Sequence, residues 1–90
     1  MVTYRIIIEG RVQGVGFRFF VFNAAKKLNL TGYTKNKSDR TVLIEATGDE
    51  IQMNEFIAIC RQGPSSARIL SFDISQLPLK TFNKFEIRRY

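Results

Sequence analysis

The sequence predicts an α+β sandwich in which two helices cover one face of an antiparallel sheet. The expected order is strand, helix, strand, strand, helix, strand, with an added C-terminal strand. Three observations predict it. The apolar periodicity alternates between that of a strand and that of a helix, and the changes fall at turns bearing glycine, asparagine or proline. With 90 residues there is room for one core only, and 44% hydrophobic and 12% aromatic residues are enough to fill it.

Tyr4, Ile6 and Ile8 alternate with Thr3, Arg5 and Glu9, so residues 2–9 are expected as a strand buried mainly on one face. A glycine-rich turn ends it. Phe17, Val21, Ala24, Ala25 and Leu28 then recur at intervals of three and four, which predicts a helix closing near Asn29, a residue that tolerates the left-handed backbone of a helix end. Strands follow over residues 32–36 and 41–47, joined by a turn over residues 37–40. Asp49 reads as an N-cap with Gln52 as its capping-box partner, Met53, Phe56, Ile57 and Cys60 form a helical stripe, and Gly63-Pro64 stops it. A strand over residues 67–74, a connection through residues 77–79 and a final strand over residues 82–89 complete the chain. This is the ferredoxin-like split βαβ (βαββαβ) order, expected as one domain over residues 1–90.

The formal charge of +6 favours acidic partners: nucleic acid, an anionic membrane surface or a small phosphorylated substrate. Lys26, Lys27, Lys35, Lys37 and Arg40 are scattered, as on any solvated basic face. There is no histidine, which excludes imidazole-based hydrolases and the usual zinc sites and leaves chemistry done by carboxylates, lysine, arginine, amides or water. The single cysteine, Cys60, cannot form an internal disulfide and reads as a small buried hydrophobe. No apolar run approaches the roughly 18 to 20 residues of a membrane span, and residues 1–5 do not resemble a leader. A cytoplasmic protein is expected, and a monomer, since no heptad or broad apolar stripe is evident.

The stretch Gly10-Arg11-Val12-Gln13-Gly14-Val15-Gly16-Phe17-Arg18 joins the first strand to the first helix. Glycines let successive N–H groups point into one concavity, and the first N–H groups of a helix are unpaired and partially positive. Arg18 in the first helical turn adds a guanidinium able to hold two phosphate oxygens. The stretch fits neither G-x-x-x-x-G-K-[ST] nor G-x-G-x-x-G, which disfavours a nucleotide site. Glycine turns followed by a solvated arginine are also common without any ligand, so spacing alone leaves a phosphate site and a bare turn both open. Asn36, at the end of the second strand, poses the same choice. Its amide suits holding a water beside a phosphoryl group, and asparagine is also an ordinary turn residue.

This run resembles the signature loop of the acylphosphatase family, and the resemblance extends through Leu28, Gly32-Tyr33-Thr34-Lys35-Asn36, Asp39, Phe56, Gly63-Pro64, Ala67-Arg68 and Phe85-Glu86-Ile87-Arg88. It implies hydrolysis of an acyl phosphate to a carboxylate and inorganic phosphate, with no metal and no covalent intermediate. Arg18 and the N–H groups of Gly14, Val15, Gly16 and Phe17 would bind the phosphoryl oxygens, and Asn36 would position the attacking water. Inorganic phosphate or sulfate would compete as anions. Three positions depart from the family pattern. Arg40 stands where the hairpin usually has glycine, and is expected to strain or reshape the turn. Tyr33-Thr34 stands where tryptophan and an aliphatic residue are common, and Asn29 where glycine is.

Two other readings are open. Residues 16–22 partly mimic the aromatic RNP1 motif of RNA-binding domains, although that motif belongs on a third strand and this run leads into a helix. A non-catalytic phospho-ligand-binding domain, or a relative of the N-terminal domain of carbamoyl-transferring hydrogenase maturation proteins, would share the fold. A chain closing after its last strand favours a free-standing enzyme over the latter.

Overall fold

A computed structural model describes residues 1–89. Its elements are β1 (Val2–Arg11), α1 (Phe17–Lys27), β2 (Thr31–Asn36), β3 (Val42–Gly48), α2 (Glu50–Gln62), β4 (Arg68–Leu77) and β5 (Phe85–Arg88). They form a sheet in the order β4-β1-β3-β2-β5.

The first four strands pair antiparallel, as the ferredoxin-like order predicts. The fifth corrects the expectation of a wholly antiparallel sheet, because β5 runs parallel to β2, with Phe85 opposite Gly32 and Ile87 opposite Thr34. The connection explains the direction. Strand β4 ends beside the start of β1, Leu77 opposite Thr3, and Thr3, Thr47 and Thr31 mark the same end of the next strands. A chain crossing to the far edge at that end has only one way to run back, alongside β2. The last strand also begins at Phe85, later than residue 82, because Phe82 packs edge-on against Tyr33 at 6.1 Å.

On the helix-covered face Tyr4, Ile6 and Ile8 lie opposite Ala46, Ile44 and Val42. Phe17, Val21, Ala24 and Ala25 of α1 and Met53, Phe56 and Cys60 of α2 complete the core. Cys60 is the buried hydrophobe expected, and burial pushes its thiol far above the ordinary range. Asn29 closes α1 in the left-handed conformation at φ 58°. Helix α2 starts after Asp49 as expected, but the capping box does not form: the Asp49 side chain makes no capping hydrogen bond. Asp49 and Glu50 remain exposed, so water satisfies their carboxylates while they still face the positive end of the helix.

The opposite face of the sheet holds a polar knot. Glu45, only 2% exposed, accepts hydrogen bonds from Arg5 Nε and Lys80 Nζ, each at 2.9 Å. Burial pushes its carboxyl up, but the hydrogen bonds and charges of Lys80 and Arg5 outweigh it and hold the group below its ordinary value. Lys80 also donates its N–H to Thr3 Oγ1 and accepts from Thr47 Oγ1 at its carbonyl, both at 2.9 Å. These bonds pin the connection to β5 against the sheet.

Candidate active site

Residues 12–16 carry the chain from β1 into α1. Gly14 and Gly16 have φ of 73° and 78°, and a Cβ on either would meet no atom within 4 Å. Glycine is therefore required there by backbone conformation and not by crowding. Gly16 is the N-cap of α1, no side chain caps the helix, and its first turn holds no acidic residue. The first-turn N–H groups thus keep their positive partial charge. Phe17, 1% exposed, anchors the turn in the core, and Arg18 beside it lines a cleft of about 250 Å³ shared with Val12, Gly14 and Gly16.

Asn36, the last residue of β2, pairs with Val42 and lines the same cleft. Its Oδ1 is buried and has no hydrogen-bond partner among the described residues. Gln13 fixes the two sides of the cleft relative to each other: its Nε2 donates to the carbonyls of Lys37 and Thr41, both at 3.0 Å. It is a strut between the glycine loop and the turn that follows Asn36.

That turn retains a left-handed residue at Arg40, φ 73°, so the anticipated strain is present and the hairpin is not reshaped to avoid it. Neighbouring bonds hold it. Asp39 Oδ1 accepts from the Thr41 hydroxyl at 2.6 Å and its N–H at 3.1 Å, and Lys37 and Thr41 close the base through a backbone bond of 2.9 Å. The Thr41 hydroxyl and N–H hold the Asp39 carboxyl below its ordinary value.

Of the residues singled out from the sequence, Gly14, Gly16, Phe17, Arg18 and Asn36 meet in one cleft. The Val15 side chain turns to the core, and its carbonyl accepts the Ser66 hydroxyl at 3.0 Å. Sequence reasoning missed Phe19, Ile87 and Arg89, which complete the walls. Phe19 offered a signal, standing one residue past Arg18; Ile87 and Arg89 arrive only through the parallel docking of β5. The aromatic run lies on α1, not on a strand, with Phe17 against Phe20 at 6.2 Å and Phe22 against Phe85 at 6.4 Å, so most of it is core packing. Among the described residues no three His, Cys, Asp or Glu side chains cluster as a metal site, and no helix is long and apolar enough to cross a membrane.

The acylphosphatase family model matches residues 4–87. An acylphosphatase of Bacillus licheniformis is 41% identical over 88 residues, covering 97% of this chain and 98% of that protein. The crystal structure of acylphosphatase from Bacillus subtilis superposes with a TM-score of 0.94 at 37% identity, covering 98% of this chain and 99% of that one. Full-length HypF, in its phosphate- and nucleotide-bound form, matches with a TM-score of 0.89 at 38% identity, over 98% of this chain and 12% of its own.

Proposed function

This chain belongs to the acylphosphatase family, hydrolases of the carboxyl-phosphate bond, and from that premise we propose which of its residues carry the reaction. Arg18 and the N–H groups of residues 14–17 hold the three phosphoryl oxygens, and Asn36 orients the attacking water. The observation that supports this most is the meeting, in one cleft, of an uncapped helix N-terminus, a guanidinium and a buried amide oxygen without a protein partner.

The chemistry asks little more. In R–CO–O–PO₃²⁻ the carboxylate is a good leaving group, so the transition state is loose and its charge rests on the phosphoryl oxygens. Permanent positive charge at Arg18 and at the helix end is already oriented there, without reorganisation during the reaction. Asn36 Oδ1 accepts a hydrogen bond from the water and directs its oxygen at phosphorus. The new P–O bond forms as the bond to the carboxylate oxygen breaks, and a phosphoryl oxygen takes the water's proton. No imidazole base is needed, in keeping with a chain that has no histidine. On this reading no metal takes part, inorganic phosphate and sulfate compete for the cradle, and residues 1–90 act as one domain, monomeric, in the cytoplasm, with no nucleic acid.

The test is release of inorganic phosphate from benzoyl phosphate in EDTA, with a phosphate monoester as control. Wild type turns over the acyl phosphate only, and Arg18→Ala lowers that turnover about 10³-fold. A folded wild type without turnover, or activity lost to the chelator, overturns the proposal.

A further inference from the structure

The cleft does not end at the phosphate cradle. Phe19 and Ile87 line it and also line a second groove of about 590 Å³ that runs between α1 and β5. Phe22, Leu30 and Phe85 border that groove, with Lys26 and Lys84 along its length. Lys26 Nζ sits 5.4 Å over the Phe22 ring. Phe19 is 68% exposed at the junction of the two, directly after Arg18. A large aromatic surface left in water at the mouth of a binding cleft gains free energy when an apolar group covers it.

A second way out of the cleft passes Arg89 toward Lys35 and Lys37, and Asn36 lines it. The two exits differ in one decisive respect. In-line displacement places the departing carboxylate opposite the attacking water. An acyl group leaving over Asn36 would lie where that water must stand. The groove beyond Phe19 and Ile87 does not include Asn36.

We propose that the acyl group of the substrate lies over Phe19 and Ile87 along the groove between α1 and β5, so that the enzyme selects acyl phosphates with apolar, especially aromatic, acyl groups over small ones. This rests on the assignment of the phosphate to the Arg18 cradle. It makes Phe19 a specificity-determining residue that leaves the chemical step untouched.

The experiment compares kcat/KM for benzoyl, acetyl and succinyl phosphate in wild type, Phe19→Ala and Phe19→Leu. Wild type prefers benzoyl phosphate. Phe19→Ala lowers kcat/KM for benzoyl phosphate by about tenfold, the size of a lost apolar contact, and leaves acetyl phosphate within about twofold. Phe19→Leu restores part of the loss. Because the residue is exposed, retained turnover of acetyl phosphate also reports that the variant is folded. An unchanged ratio of benzoyl to acetyl turnover in Phe19→Ala, or succinyl phosphate as the best substrate, overturns the inference while leaving the catalytic assignment standing. Absence of turnover of all three by folded wild type overturns both.

Discussion

The loop that follows β1 and the turn that follows β2 both hold left-handed residues, Gly14 and Gly16 at φ 73° and 78° in the first and Arg40 at φ 73° in the second. They reach that conformation by opposite means. The glycines stand in open space, and no side chain caps the helix that Gly16 begins. Arg40 carries a Cβ into a conformation that disfavours one, and Asp39, Thr41 and Lys37 bind the turn around it. The difference has a functional reading. On the proposed mechanism the loop's N–H groups meet the phosphate and are not engaged internally, so glycine has to make its shape cheap. A turn that only presents Asn36 is free to use every bond it has, and so tolerates strain.

The sharpest way to break this comparison is to remove what each side presents to the cleft. Arg18→Ala is expected to lower kcat/KM about 10³-fold and to abolish phosphate binding by calorimetry, since it removes charge from the cradle itself. Asn36→Ala is expected to lower kcat about 10²-fold while inorganic phosphate still binds, and wild-type turnover would end its water-positioning role. Gly16→Ala tests the loop as backbone: with no clash available, denaturant titration is expected to read only left-handed strain, about 1–2 kcal/mol. The same change at a crowded glycine would cost more.

The turn is tested through its bonds. The Asp39 carboxyl is lowered on folding, so its contribution is present above the unfolded value, roughly 4, and is lost as pH falls through the lower folded value. The melting temperature of wild type is therefore expected to fall more steeply over that acid range than that of Asp39→Ala. Equal slopes would remove Asp39 from the account. The smallest effect belongs to Arg40→Gly, expected to raise stability by up to about 1 kcal/mol by relieving the left-handed strain, with turnover unchanged.

Much of this site was legible in order along the chain. Gly14, Gly16 and Arg18 lie within five residues, so local rules of turns and helix ends were enough to bring them together. The core followed equally from periodicity, because Ile6, Ile8, Val42 and Ile44 repeat at the spacing of a half-buried strand. Asn36 needed more. Its neighbours in sequence are those of any turn, and what sets it apart, an orphan Oδ1 on a residue lining Arg18's cleft, depends on β3 separating β1 from β2. Gln13 lay inside the glycine motif, but its two acceptors, Lys37 and Thr41, are 24 and 28 residues away. Ile87 and Arg89 were illegible for the plainest reason: alternation predicts a strand and says nothing of which neighbour it joins or in which direction.

The placement of β1 has a kinetic consequence. The first strand lies inside the sheet, Thr3 pairing with both Thr47 and Leu77, and β5, the last strand in the chain, pairs with β2. Pairings between such distant stretches must close long loops before they gain contacts, which slows folding relative to a helical bundle of this size. The cleft gathers Val12, Arg18, Asn36 and Arg89, so a chain still emerging from the ribosome has no complete cleft until residues up to Arg89 have been made. Inorganic phosphate would then slow unfolding without hastening folding, and the return of turnover after dilution from denaturant would time the assembly of the whole cleft.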